Sequence, residues 1–446
     1  MFFCGISGFI TYMKKNMIIK NFRKYVSLSV LGMICLSAYI LADTYFISVA
    51  LGAYGLTALN ISVAVFGILF GVGLMIGVGG AIQYSIQKGK GNDREANSVF
   101  THASVIGLLV SVIFSIIGIF FATPLAATLG ADETILPMAA VYMKVVLSAS
   151  PIIVFSSILT AFIRNDNNPK LAMAGMVTGS LSNIVLDWIF LFPLDMGMFG
   201  AALATVCSMV LGIGVLSLHF ITKRNKFSLC KCKIQIKRIA NIIFLGSSAF
   251  INELSLSIAL ITFNLIILSI EGNIGVAAYG VVANIAIIVM SIFGGVAQGI
   301  QPLLSKGQGL GDNSMIKQIL KYAIVLVFIM SIGIYALTFI FTYEIVAIFN
   351  SESNETLALL AGRGLRIYFI GFIFMGVNII AAAFFSSIAN AKIGLLISVL
   401  RGCIIIVPMA IILSAAFDMT GIWLSFVFTE MIVCALSLIL IYRRKP

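Results

Sequence analysis

The chain has 446 residues, 61% of them hydrophobic and only 10% charged, where a soluble domain carries roughly 25% charged residues. Apolar runs of about 20 residues recur along its whole length, each long enough to cross roughly 30 Å of hydrocarbon, so the bilayer is the solvent to reason in. The formal charge of +12 does not mark a nucleic-acid binder, because the basic residues sit in short loops between apolar runs and not on a stripe interleaved with aromatics.

In chain order, an N-terminal segment (1–24), apolar before it is basic, reverses the order of a secretory signal peptide and is expected to stay attached. Twelve spans are then expected. The first six, Tyr25 to Val49, Gly55 to Ile82, Val99 to Ala122, Met138 to Ile163, Leu171 to Pro193 and Met198 to Ile221, form an N-lobe (25–222). A basic linker (223–238) follows. The second six, Ile239 to Ile270, Ile274 to Leu304, Ile319 to Tyr343, Leu365 to Ile388, Gly394 to Ala416 and Gly421 to Tyr442, form a C-lobe (239–446). Runs longer than about 25 residues imply tilt or a kink.

Of the 28 Lys and Arg residues, 24 fall in the N-terminal segment, the loops after even-numbered spans and the C-terminus. The alternate connections hold acids such as Asp132, Glu133, Asp195, Glu271 and Asp418. The positive-inside rule therefore places both termini in the cytoplasm. The seven cysteines show no pairing pattern, and Cys230 and Cys232 flank Lys231 without the further ligands a metal site needs, so neither disulfide nor structural metal is expected.

The chain repeats itself weakly. IQYSIQKGKGND at Ile82 to Asp93 resembles IQPLLSKGQGLGD at Ile300 to Asp312, and Gly200 before span six echoes Gly421 before span twelve, at an offset close to 220 residues. An offset of six spans gives parallel repeats about an axis along the membrane normal. The expected fold is all-α and integral to the membrane: twelve helices in two six-helix bundles that enclose a cavity.

Asp43, Asp187, Glu253 and Glu430 fall inside spans. An ionised carboxylate at the bilayer centre costs about 2.5 to 3.5 kcal/mol on insertion scales, so each is protonated, paired or facing water. Asn183 precedes Asp187 by one helical turn, and Tyr39 precedes Asp43 likewise, so each pair shares a face. Carboxylate, amide and hydroxyl oxygens suit a hard cation such as sodium, and the same carboxylates can instead take up a proton.

On DTYFISVALG at Asp43 to Gly52, SIQKGKGNDREAN at Ser85 to Asn97 and NIVLD at Asn183 to Asp187, the chain resembles the multidrug and toxic compound extrusion family, in its bacterial multidrug-efflux and DNA-damage-inducible-type branch. The resemblance implies an N-lobe cation site of Asp43, Asn183, Asp187 and Thr205, with Tyr39 beside it. It implies an acid facing the cavity at Glu253, with Gln83, Gln298, Gln301, Met290 and Glu430 as further cavity residues. Two departures stand out. Tyr368 is followed one turn later by Phe372 where the other main branch has a C-lobe Asp, and span one lacks the usual early proline, leaving Gly32 as its source of flexibility.

The function expected is a sodium- or proton-coupled antiporter that exports lipophilic, mostly cationic small molecules by alternating access. It is expected to work as a monomer in a bacterial cytoplasmic membrane, with lipid around it and no cofactor beyond the coupling ion. The rival is a lipid-linked precursor or polysaccharide flippase of related fold. An enzyme is not expected: the only histidines, His102 and His219, form no HExxH or Ser–His arrangement.

Overall fold

The computed structural model describes residues 2–350 and 354–443, with side chains from residue 16 onward. Among these residues all regular structure is helical. The cause is general: hydrocarbon offers no partner to a backbone N–H or C=O, so each spanning segment closes its own hydrogen-bond ladder.

The N-lobe consists of α1 (2–51), α2 (53–89), α3 (Asp93–Thr128), α4 (Leu136–Ser148 and Ser150–Asn165), α5 (Pro169–Leu191) and α6 (Gly197–Ile221). The C-lobe consists of α7 (236–271), α8 (273–310), α9 (Asn313–Ile340), α10 (Glu355–Tyr368 and Gly371–Ser387), α11 (391–416) and α12 (419–443). A short helix, Thr342–Phe349, follows α9 and was not foreseen from the apolar runs.

The repeat is visible in the backbone. Gly52 (φ 66°) breaks the helix between α1 and α2, and Gly272 (φ 63°), about 220 residues later, breaks it between α7 and α8. Glycine reaches these left-handed angles without a Cβ clash. The two bent spans also correspond: α4 bends by 53° and α10 by 48°. Pro151 opens the second segment of α4, and Gly371 opens that of α10.

Buried apolar side chains form one large cluster in each lobe. The start of α1 departs from the expected division: Ile18, Phe22, Tyr25 and Val26 pack into the C-lobe cluster. Phe120 and Phe121 on α3, and Ile329 and Ile340 on α9, are exposed and present a lipid-facing perimeter. Because lipid tails are as apolar as these side chains, the lobes cohere by close packing and internal hydrogen bonds more than by the hydrophobic effect.

Near the face that carries the termini, the lobes meet backbone to backbone. Gly79 of α2 lies against the main chain of Ile242 and Gly246 of α7, and Gly246 lies against Met75. The pseudo-equivalent contact sets Gly299 of α8 on Val26 of α1, where a Cβ would come within 2.7 Å of the Val26 Cα. Gly89 and Gly309, again about 220 residues apart, face each other so closely that a Cβ on either would stand 2.8 Å from the other's Cα.

The basic linker is strapped to this face of the N-lobe. Asp166 accepts from the Tyr84 hydroxyl (2.7 Å), from the Lys226 main-chain N–H (2.7 Å) and from His219 Nε2 (2.9 Å). The Gln235 N–H donates to His102 Nε2 (2.9 Å), so that nitrogen is the unprotonated one. Phe227 is buried among the rings of Tyr84, Phe100, Phe162 and Phe220. Both histidines thus hold the linker.

Inside the C-lobe, α11 carries a π-helical turn at Leu400–Ile404. It directs Arg401 to Glu430 of α12, with Nε and Nη2 donating to Oε1 (3.1 and 2.9 Å) and Nη1 to Asn252 (3.2 Å). Asn378 donates to Glu430 Oε2 (2.7 Å) and accepts from Ser437 (3.0 Å). Arg401 and Glu430 are both buried.

Two outcomes follow for thermal unfolding in detergent. Replacing Gly246 by alanine forces a Cβ into the facing backbone and should cost about 1–3 kcal/mol, whereas Gly333→Ala, with no atom within 4 Å of the new carbon, should be near neutral. Arg401→Met, which strands the buried Glu430, should cost about 3–5 kcal/mol, and adding Glu430→Leu should recover most of the loss.

Candidate cation and substrate sites

Three N-lobe helices bring the proposed cation ligands together. Asp43 is 8% exposed on α1, Asn183 and Asp187 are fully buried one turn apart on α5, and Thr205 is 3% exposed on α6. The Asp43 and Asp187 carboxyl groups lie within interaction range of each other, with Tyr39 close to both. Asp43 Oδ1, both Asp187 oxygens, and Asn183 Oδ1 and Nδ2 are buried and, apart from the contact between the two carboxyl groups, make no hydrogen bond among the described residues. Thr205 Oγ1 is held to Ala201 O at 3.3 Å, which turns its oxygen lone pairs toward other partners.

Five orphaned polar atoms in one place are unusual, since buried polar groups are nearly always paired. Two facing carboxylates have only lone pairs to offer, so a proton or a metal cation between them is what makes the arrangement tolerable. The oxygen-rich donor set fits a hard cation such as sodium.

Sequence reasoning missed Tyr142. It is 3% exposed on α4, and it faces Asp43, Thr205, Tyr39 and Asp187. Its only signal was a hydroxyl within a long apolar run.

The expected cavity residues scatter. Tyr39 and Gln298 line an N-lobe pocket of about 830 Å³, and Gln298 Nε2 contacts Met33 Sδ at 3.4 Å. Glu253 is half-buried on α7, near Tyr39 and beside Gly71 of α2, so it stands at the junction of the lobes. Met290 and Glu430 line a separate C-lobe pocket of about 560 Å³ with Tyr279, Tyr368 and Phe426.

Glu430 lines its pocket as an ion-paired acid, neutralised by Arg401. Two other residues occupy different settings from those expected. Gln301 is 4% exposed and exchanges two 3.2 Å hydrogen bonds with Asn165, tying α8 to α4 across the lobes. Gln83 is half-buried, with Oε1 lacking a partner, and lies outside both pockets.

With this geometry in place, comparison with known proteins is informative. The MatE family model matches residues 29–189 and 248–412, more than half of the chain and covering both lobes. The chain is similar to the multidrug export protein MepA of Staphylococcus saprophyticus (23% identical, covering 96% of this chain and 94% of the relative). It is also similar to MepA of Staphylococcus aureus strain NCTC 8325 (24%, same coverage). Its fold matches an outward-facing MATE family transporter of the MOP superfamily with a TM-score of 0.89 at 22% identity, covering 94% of each chain. A MOP superfamily transporter from Pyrococcus furiosus matches at 0.88 and 24%, again over 94% of each. The chain therefore belongs to the MatE family of multi-pass membrane transporters.

Proposed function

We propose that this protein is a cation-coupled antiporter that exports lipophilic, mostly cationic compounds by alternating access. The observation that carries the reading is the buried set Asp43, Asn183 and Asp187, whose five polar atoms find no partner among the described residues beyond the contact between the two carboxyl groups. Sodium or a proton satisfies the four oxygens among them. The multidrug export names of the Staphylococcus relatives support an efflux role, and Glu253 at the lobe junction supplies a negative charge for a cationic compound.

Both termini and the strapped linker lie in the cytoplasm on this reading, as the Lys and Arg distribution favours. The backbone contacts at Gly79, Gly246, Gly299 and Gly309 then close the cytoplasmic side, and the pockets open outward. A cation entering from outside binds between α1 and α5, drug leaves, and the lobes rock inward. Coupling requires that cation and drug prefer different facing states, because equal affinity for both shifts nothing. A potential of about 100 mV contributes about 2.3 kcal/mol per net charge moved, so a one-for-one exchange of monocations draws only on the chemical gradient. Helix α1 is unbroken through Gly32, so any bending on cation binding has to start without a proline hinge.

Ethidium efflux from cells expressing the protein, with sodium and pH gradients imposed separately, tests the proposal. The wild type should export under one gradient, which names the ion, and Asp43→Asn with Asp187→Asn should reduce export to the level of cells lacking the protein. Vigorous gradient-driven export by both single variants would overturn it.

A further inference from the structure

The N-lobe pocket holds a positive charge that no residue balances. Arg164, near the end of α4, is 4% exposed and lines the pocket floor. Its one hydrogen-bond contact among the described residues is Nη2 to the Met176 thioether at 3.9 Å, and no ion pair includes it. The nearest acid in sequence, Asp166, is fully engaged by Tyr84, His219 and the Lys226 N–H. A buried guanidinium has five donors and no acceptor, and burying it without an anion costs several kcal/mol.

The surroundings suit an anion. Ser156 and Thr160 precede Arg164 at successive four-residue steps, so the three side chains form a polar stripe along one face of α4, and all three line the pocket. Ser180 of α5 also lines the pocket, and among the described residues no hydrogen bond engages the hydroxyls of Ser156, Thr160 or Ser180, whereas those of Ser157 and Ser208 are spent on main-chain carbonyls. These three free hydroxyls can thus donate beside Arg164. Above this floor the wall is apolar, made by Leu36, Phe70, Leu74 and Val78, up to Tyr39.

We propose that the N-lobe pocket is a binding site for an amphiphile that places an oxyanion, carboxylate or phosphate, on Arg164 and the α4 hydroxyls and lays its apolar body along α1 and α2. This site is separate from the cation site at Asp43 and Asp187 and does not depend on the antiport reading.

Equilibrium binding of 4-(1-pyrenyl)butyrate to the purified full chain in neutral detergent, read by pyrene fluorescence, tests the site without any gradient. The wild type should bind the carboxylate at least about tenfold more tightly than the neutral amide on the same pyrene body, the preference expected of one charged hydrogen-bonded contact. Arg164→Gln should erase that preference and Arg164→Lys should restore part of it. The readout involves no ion gradient, so a failed antiport reading would not be mistaken for a failure here. Displacement of the probe by phosphatidylglycerol would assign the head to a lipid phosphate, and displacement by soluble fatty carboxylates alone would assign it to a solute; both support the site. Equal affinity of the wild type for carboxylate and amide, or an unchanged preference in a folded Arg164→Gln protein, would overturn the proposal.

Discussion

The architecture depends on two helical bundles touching backbone to backbone without being bonded into one. Glycines at 79, 246, 299 and 309 remove the side chains that would hold α2 from α7 and α8 from α1 and α2. Small residues are how helices approach closely where lipid supplies no hydrophobic drive. Such a contact is broad and shallow. It orders the lobes with few directional bonds, among them the paired amide hydrogen bonds between Gln301 and Asn165 and the ion pair between Arg238 of α7 and Glu95 of α3. The pseudo-two-fold repeat provides this contact twice.

Within each bundle the polar chemistry is handled differently. The C-lobe neutralises one of its acids internally: Arg401 and Asn378, the latter held by Ser437, engage both Glu430 oxygens, while Glu253 on α7 has no ion pair among the described residues. Among the described residues the N-lobe leaves Asp43 and Asp187 without a cationic partner and Arg164 without an anionic one. Fully satisfied networks specify a unique packing, while unsatisfied ones are held in readiness for something that comes and goes.

Much of this was legible in the sequence because hydrocarbon imposes length and composition on every span. The turns at Gly52 and Gly272 fall inside the breaks read from the apolar runs, and the four-residue spacing of Asn183 and Asp187 did place both on one buried face. What sequence spacing reports is the face of one helix, not what lies across from it. It therefore missed Tyr142 facing the acids, the Arg401 partner that neutralises Glu430, and the linker held by His102 and His219. The bends of α4 and α10 were legible only as a general allowance for kinks in long runs.

The central claim is that Asp43 and Asp187 together hold the coupling ion. Direct ion binding to the purified protein tests it: radioactive sodium retention and proton uptake from a weakly buffered solution, measured on the same preparation. The account predicts that the wild type retains sodium or takes up protons, and that Asp187→Asn abolishes this while Glu253→Gln leaves it in place. Ion binding that survives in Asp187→Asn and in Asp43→Asn would contradict it.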